Sequence, residues 1–291
     1  MLRYLETECC ADRRGTPRAA SAILESMAKT QTGPLADEAL RSLAFDRVAG
    51  EYDETRGLPP GVDAQVADLF ARAGGLRSDS RVLEIGIGTG RIALALSRRV
   101  GTVFGVDLSR PMLARLEGKR SGERVRAVRA DATRLPYRDA SFDAAVAVHV
   151  FHLIPDWRRA LREVTRALRP GAPLLHGWTG VPAADLLRVF EPRGLENRGV
   201  REGERERFLA ESGWRRVGEP ERLEFVKRIR PAEVVEMVER RTFSRLWELP
   251  DESIAALAER LRDELANRFG DLDAEVDLAA EARVERWLPP T

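Results

Sequence analysis

The 291-residue chain is long enough for one large domain, or for one domain with an insertion. Apolar residues make up 43% and charged residues 33%, which suits a soluble globular protein, and 48 basic against 47 acidic residues leave a net charge of +1. That near-zero sum argues against nucleic acid or an anionic membrane as partner, and no stretch approaches the ~18 uncharged apolar residues of a membrane span. The two cysteines, Cys9 and Cys10, are adjacent and carry no metal-ligand spacing. Without a continuous apolar signal core near the N-terminus, the expected location is the cytoplasm.

In chain order, residues 1–34 are polar and small, and are expected to form a loosely ordered extension with one short helix around 19–29. Met27 is an alternative start. Residues 35–291 are expected to form the second unit. Helical spacing begins there with Leu35, Ala39, Leu40, Leu43 and Val48, and recurs over 65–73, where Gly74 and Gly75 close the helix. Strands are expected at 81–85, 102–106, 125–129, 143–149 and 173–178, with helices between them; one is expected at 92–100. The fourth strand is apolar almost throughout, as a strand covered on both faces should be. The helix after it carries Trp157, Leu161, Val164 and Leu168 on one stripe and ends at Pro170-Gly171. Beyond residue 180 the spacing predicts short helices at 186–190 and 204–212, a strand at 223–229, helices at 231–247 and 252–269, and a last strand at 282–288. Alternating strands and helices imply an α/β fold, a doubly wound parallel sheet with helices on both faces.

The chemistry concentrates at residues 82–90, Val-Leu-Glu-Ile-Gly-Ile-Gly-Thr-Gly, followed 17 positions after Gly90 by Asp107 at the tip of the next strand. Gly86, Gly88 and Gly90 let the backbone turn sharply and let a ligand lie against bare main chain. A carboxylate at Asp107 is placed to accept from two ribose hydroxyls, so an adenosine-containing cofactor is expected. The dinucleotide fingerprint would need its third glycine where Arg91 stands. Glu84, just before the turn, disfavours phosphates and favours a cation such as a sulfonium or an α-amino group.

These residues resemble the class I S-adenosylmethionine-dependent methyltransferases, whose first motif is E-x-G-x-G-x-G. The resemblance runs motif by motif over about 45–180. It implies a seven-stranded Rossmann-like sheet with the last strand antiparallel. Residues 231–270, between the last two strands, would form a helical lid over the site mouth. The implied cofactor is S-adenosylmethionine, with S-adenosylhomocysteine as product. In this family Asp107 would hold the ribose, Leu108 and Met112 would pack on the adenine, and Asp131 and Ala132 would read its edge. Leu135-Pro136-Tyr137-Arg138-Asp139-Ala140-Ser141-Phe142-Asp143 is similar to the family's L-P-F-x-D-x-S-F-D segment. Phe45–Arg56 resembles the F-D-x-x-A-x-x-Y-D-x-x-R pattern of the subgroup that includes quinone C-methyltransferases, in which Tyr52 and Arg56 would close over the methionine end.

His149 and His152 follow the fourth strand. His149 is expected beside the cofactor, and His152 is the candidate general base. His176 is expected to be structural, and Trp178 to wall the acceptor pocket. On a helix over 231–247, Phe243 and Trp247 stand four apart; they either fill a core or, with Arg241 or Arg245, contact the acceptor. The reading is methyl transfer to a small-molecule acceptor by in-line displacement. An RNA-directed methyltransferase, kept open by the arginine-rich stretches at 158–169 and 193–216, and a non-catalytic cofactor-binding protein are the alternatives. An NAD(P)-dependent reductase is a third reading, one that would show no tight S-adenosylhomocysteine binding.

Overall fold

The computed structural model describes residues 46, 49–180, 203–247 and 249–290, all within one compact unit, Glu38–Thr291. The expected extension 1–34 and the helices expected at 19–29 and 186–190 lie outside the described residues, as does nearly all of the helical stretch from Leu35.

Five parallel strands form the centre: β1 (Arg81–Ile85), β2 (Thr102–Asp107), β3 (Val125–Arg129), β4 (Ala144–Val148) and β5 (Leu174–Thr179). Three more follow, β6 (Arg215–Arg216), β7 (Glu221–Ile229) and β8 (Val276–Leu288), and the order is β3-β2-β1-β4-β5-β8-β6, with β7 also on β8. β8 is antiparallel to β5, pairing Leu174 with Trp287 and Thr179 with Ala282. β6 and β7 lie on the other side of β8, so a sheet expected to have seven strands counts eight. Val82 pairs with Val103 on one side and Ala144 on the other. The chain therefore leaves β1 toward β2 and later returns to its opposite edge as β4. This is the reversal of strand order at which open α/β sheets bind ligands.

β4 is buried from Ala144 to Ala147, and apolar layers cover both faces of the sheet. One layer packs Phe104, Phe142, Phe151, Trp157 and Leu161; the other packs Leu69, Phe70, Leu96 and Val100. Helix α1 (Tyr52–Arg56) precedes α2 (Val62–Gly74). α2 ends as its glycines suggest: Gly75 is left-handed, its N–H donates to Arg72 O, and the Leu76 N–H reaches back to Ala71 O. The helix expected at 92–100 shrinks to α3 (Ala93–Leu96). The Arg98 and Arg99 amides bond three residues back, which tightens the last turn and brings Gly101 and Thr102 onto Ser80 O at the start of β2. α4 (Arg110–Lys119) starts from Ser109, whose Oγ accepts from the Met112 N–H, and α5 (Trp157–Ala167) starts from Asp156, whose carboxylate accepts from the Arg159 N–H. α6 (Glu204–Glu211) follows the undescribed stretch.

Between β7 and β8 the chain forms the expected helical cap, α7 (Pro231–Glu239) and α8 (Asp251–Phe269), joined through a 3₁₀ turn at Ser244–Leu246. The cap has a core of its own, including Val234, Val238, Leu246, Leu257, Leu261 and Leu265. The continuous helix expected over 231–247 is corrected here. Arg241 takes φ +53°, its N–H donates to Val238 O, and the Thr242 N–H donates to Met237 O. That is a left-handed helix stop with arginine in the place usually held by glycine.

Candidate functional site

A cavity of about 280 Å³ opens at the carboxyl ends of β1, β2 and β4, at the lower edge of the ~300–1,000 Å³ usual for small-ligand sites. Its floor is the glycine turn after β1. The Gly86 and Ile87 amides bond Val106 O, which hangs the turn on β2. Gly86 lies at φ +68°, and a Cβ there would come within 2.4 Å of Val150. Gly88, at φ +54°, faces open space, with Gly86 O its nearest neighbour at 3.9 Å. The first glycine lets the chain pack against the loop after β4, and the second leaves room against bare backbone.

Asp107 ends β2 and lines the cavity. Its carboxylate accepts from the Gly88 N–H at 2.8 Å and the Ser109 N–H at 2.9 Å. Burial pushes its pKa up, and those backbone donors pull it back. Each carboxylate oxygen retains acceptor capacity after one bond. Asp131, after β3, also lines the cavity and accepts from the Thr133 N–H at 2.8 Å. Leu108, Met112 and Ala132 supply apolar wall, and Tyr52 closes the space from α1.

Glu84 lies under the turn on β1, 3% exposed. Its Oε2 has no hydrogen-bond partner. Burial, with Asp107 adding to it and Arg91 opposing it, raises its pKa to about 8. A buried carboxyl oxygen without a donor is costly unless something arrives to satisfy it.

His149, at the end of β4, lines the cavity with φ +49°, unusual for a residue other than glycine. Its Nε2 lies 3.0 Å from both the backbone N and O of Thr179. Burial and the Arg91 cation depress its pKa to about 3, so it is neutral. His152 is also held low, to about 4, by burial.

Tyr52, Gly86, Gly88, Asp107, Leu108, Met112, Asp131, Ala132 and His149 thus meet around one space, with Glu84 and Gly90 in the strand and turn beneath it. Six other expected site residues are not among the lining residues. The Arg56 Nη2 donates to Thr242 O at 3.3 Å, and its guanidinium lies 4.2 Å from the Phe243 ring, so α1 meets the cap. Phe243 is buried in the cap core. Trp247 donates from Nε1 to Arg241 O, and Arg241 pairs with Asp251. Because the helix stops at Arg241, Phe243 and Trp247 do not share a helical face as expected. Trp178 sits instead between Arg205 and Arg283, 4.9 and 4.3 Å from its ring, against His176. His152, in the 3₁₀ turn Phe151–Leu153, is likewise off the cavity. His176 is buried, and its Nε2 accepts from Arg205 Nη1 at 2.9 Å, since a guanidinium can only donate.

Sequence reasoning missed the stretch Leu153-Ile154-Pro155-Asp156 on the cavity wall. Its position just beyond the carboxyl end of β4 was the available signal.

Over part of its length the chain is similar to known methyltransferases. The model of the family described as "Methyltransferase domain" matches residues 83–175. The chain is 32% identical over 152 residues, half its length, to 27-O-demethylrifamycin SV methyltransferase of Amycolatopsis mediterranei. It is 35% identical over 136 residues, 45% of its length, to demethylmenaquinone methyltransferase of Thermus thermophilus. These matches span 53% and 62% of those two proteins, so the chain spans little more than half the length of the curated relatives it matches. Among solved structures, the [4+2]-cyclase SpnF superposes with a TM-score of 0.55 at 18% identity, covering 87% of this chain and 96% of that one. The phosphoethanolamine N-methyltransferase 2 of Haemonchus contortus superposes at 0.51 and 21% identity, covering 86% and 59%. At such identities these superpositions establish the fold and nothing finer.

Proposed function

We propose that this protein transfers a methyl group from S-adenosylmethionine to a small-molecule acceptor, releasing S-adenosylhomocysteine. The observation that carries the reading is the chemistry at the two ends of the crevice. Glu84 offers a buried carboxyl oxygen with no partner. Asp107 and Asp131 present carboxylates along the wall. An adenosyl group with an α-ammonium fits that donor demand: Asp107 holds ribose hydroxyls, Asp131 the adenine amine, and Glu84 the ammonium. A phosphate would meet an acidic residue at each station. The names of the relatives, which speak of rifamycin and menaquinone precursors, support a small acceptor.

The bound cofactor would supply an already activated methyl group, so the chain's task is placement in a closed, water-poor site. Gly88 admits the ligand against main chain, Leu108, Met112 and Ala132 sandwich its apolar part, and Tyr52 covers it. His149, held neutral, adds no positive charge beside a sulfonium. His152 receives no proton-transfer role in this reading. At about 4 it is a weak base at neutral pH, and it lies off the cavity. The cap meets the segment around α1, where Arg56 joins Thr242 and Phe243 and Arg240 pairs with Glu51. Arg56 therefore acts as a strut between cap and α1.

Calorimetry with S-adenosylhomocysteine tests the proposal. The wild-type protein is expected to bind one equivalent, and Asp107→Ala to weaken binding by about 1–3 kcal/mol through lost charged hydrogen bonds. A folded wild-type sample that takes up none of the compound overturns the reading.

A further inference from the structure

Two side chains near the cavity have no part in the roles above: Asp53, the residue after Tyr52 in α1, and Lys119, the last residue of α4. One Asp53 oxygen accepts from Thr89 Oγ1 at 2.5 Å and the other from Lys119 Nζ at 2.8 Å. Thr89 stands between Gly88 and Gly90, buried in the glycine turn. A single carboxylate thus joins α1, the turn that floors the cavity and the end of α4. Arg91, just after the turn, adds a second tie. Its Nη1 donates to Arg56 O at 3.3 Å and to Thr179 Oγ1 at 2.6 Å, so one guanidinium joins the turn, the end of α1 and the tip of β5.

α1 depends on such ties. It has five residues and no side chain capping its first turn, far short of the ~12–15 residues at which an isolated helix becomes even marginal in water. Its other partners lie in the cap, where Arg56 meets Thr242 and Phe243 and Glu51 meets Arg240. Toward the cavity floor it is the Asp53 side chain that fixes α1, and the neighbouring Tyr52 is the one that lines the ligand space. We propose that Asp53 is a positioning residue for cofactor exchange: through Thr89 and Lys119 it clasps α1 onto the cavity, holds Tyr52 over the ligand space, and so sets how fast the cofactor and its product leave. The inference rests on the function proposed above and adds to it how a bound ligand is retained.

The two arms of the clasp differ in kind. Thr89 is 1% exposed, so its bond is shut away from water. The Lys119 arm is open, with side chains 35% and 31% exposed, beside a surface hollow also lined by Asp63, Arg98 and Glu123. Dissolved ions reach such a pair and screen it, while the buried bond senses them far less. Salt therefore loosens one arm and leaves the other, and ligand release quickens with ionic strength.

The test is the dissociation rate of S-adenosylhomocysteine from the immobilised full chain, followed by surface plasmon resonance at about 0.05 and 0.5 M salt. Asp53→Ala removes both arms and should release the compound about tenfold faster or more at low salt. Asp53→Asn, which keeps an acceptor for Thr89, and Lys119→Gln should each release it about threefold faster. The double variant Asp53→Asn/Lys119→Gln should be no faster than either, because the pair is one interaction. Lys119→Arg, which keeps the charge, should stay near wild type. High salt should speed release from the wild type about threefold and leave Asp53→Asn and Lys119→Gln almost unchanged, a response that a general loss of stability does not produce. Should Asp53→Ala fail to fold, Lys119→Gln and the salt series carry the test, since Lys119 lies outside the cavity lining. Release within about twofold of wild type in Asp53→Ala or in Lys119→Gln overturns the inference. Additive effects in the double variant, or a salt response that survives the loss of Lys119, overturn it as well. A wild type that takes up none of the compound overturns the function itself, which separates the two failures.

Discussion

At the cavity a buried carboxyl oxygen, a strained backbone and open space stand together; across the outer ribbon and the cap, exposed charges stand in pairs. Glu84 is buried with an empty oxygen, His149 holds a left-handed backbone, and Gly88 faces open space. On the β7–β8 ribbon, Arg222 pairs with Glu281 and Arg228 with Asp277, and the cap above it closes on an apolar core. The cap also has Arg240 on Glu236 and Arg262 on Glu239. Buried atoms without a partner occur off the cavity too, at His176 Nδ1 and Arg283 Nε, so what marks the binding site is an unanswered oxygen under an open cavity rather than the unanswered atom alone.

Three measurements press on that contrast. The largest effect is expected from Leu261→Ala, in the middle of the cap core and fully buried. It should cost about 2–5 kcal/mol in denaturant unfolding, because a cavity remains where the side chain was. If cap and crevice are separately built, S-adenosylhomocysteine affinity should stay within about twofold, as expected for distant sites with no shared partners. A large loss of affinity would erase the distinction between the two regions.

The next effect lies on the crevice side. His149 titrates at about 3 in the folded protein against 6.5 for the free side chain. A depressed histidine contributes stability that is complete above pH 6.5 and is lost as pH falls from there toward 3. The slope approaches about 1.4 kcal/mol per pH unit at most. His149→Gln should remove that part of the acid sensitivity, read as a flatter plot of unfolding free energy against pH between 6.5 and 4. An unchanged slope would mean that the histidine is not held neutral. The smallest effect belongs to the ribbon: Val226 is 56% exposed, and Val226→Thr should change stability by no more than about 0.5 kcal/mol and leave binding alone.

The two regions also differ in how far they could be read from residues alone. Over 81–179, the strand positions, the glycine turn and the acids at strand tips were all legible, because each depends on local periodicity and spacing. The stop of α7 was not. Arg241 takes a left-handed conformation that glycine usually signals, so the chain offered no mark there, and Phe243 and Trp247 were assigned to a helix that had already ended. Trp178 was assigned to the pocket from its place at a strand end. It stacks between Arg205 and Arg283, which come from α6 and β8, far apart in sequence. The place of the Arg56 guanidinium over the Phe243 ring of the cap, nearly two hundred positions away, is likewise beyond any local pattern.

By itself, the order of residues determined the alternation of strands and helices, the sharp turn at Gly86–Gly90 and the acid at the end of β2, since these follow from side-chain period and backbone sterics over a few residues. Tertiary structure alone decided which side chains face the cavity, that Glu84 keeps an unanswered oxygen, and that Arg91 ties three elements together. Burial and long-range pairing depend on what the rest of the chain brings alongside, and no local pattern encodes that.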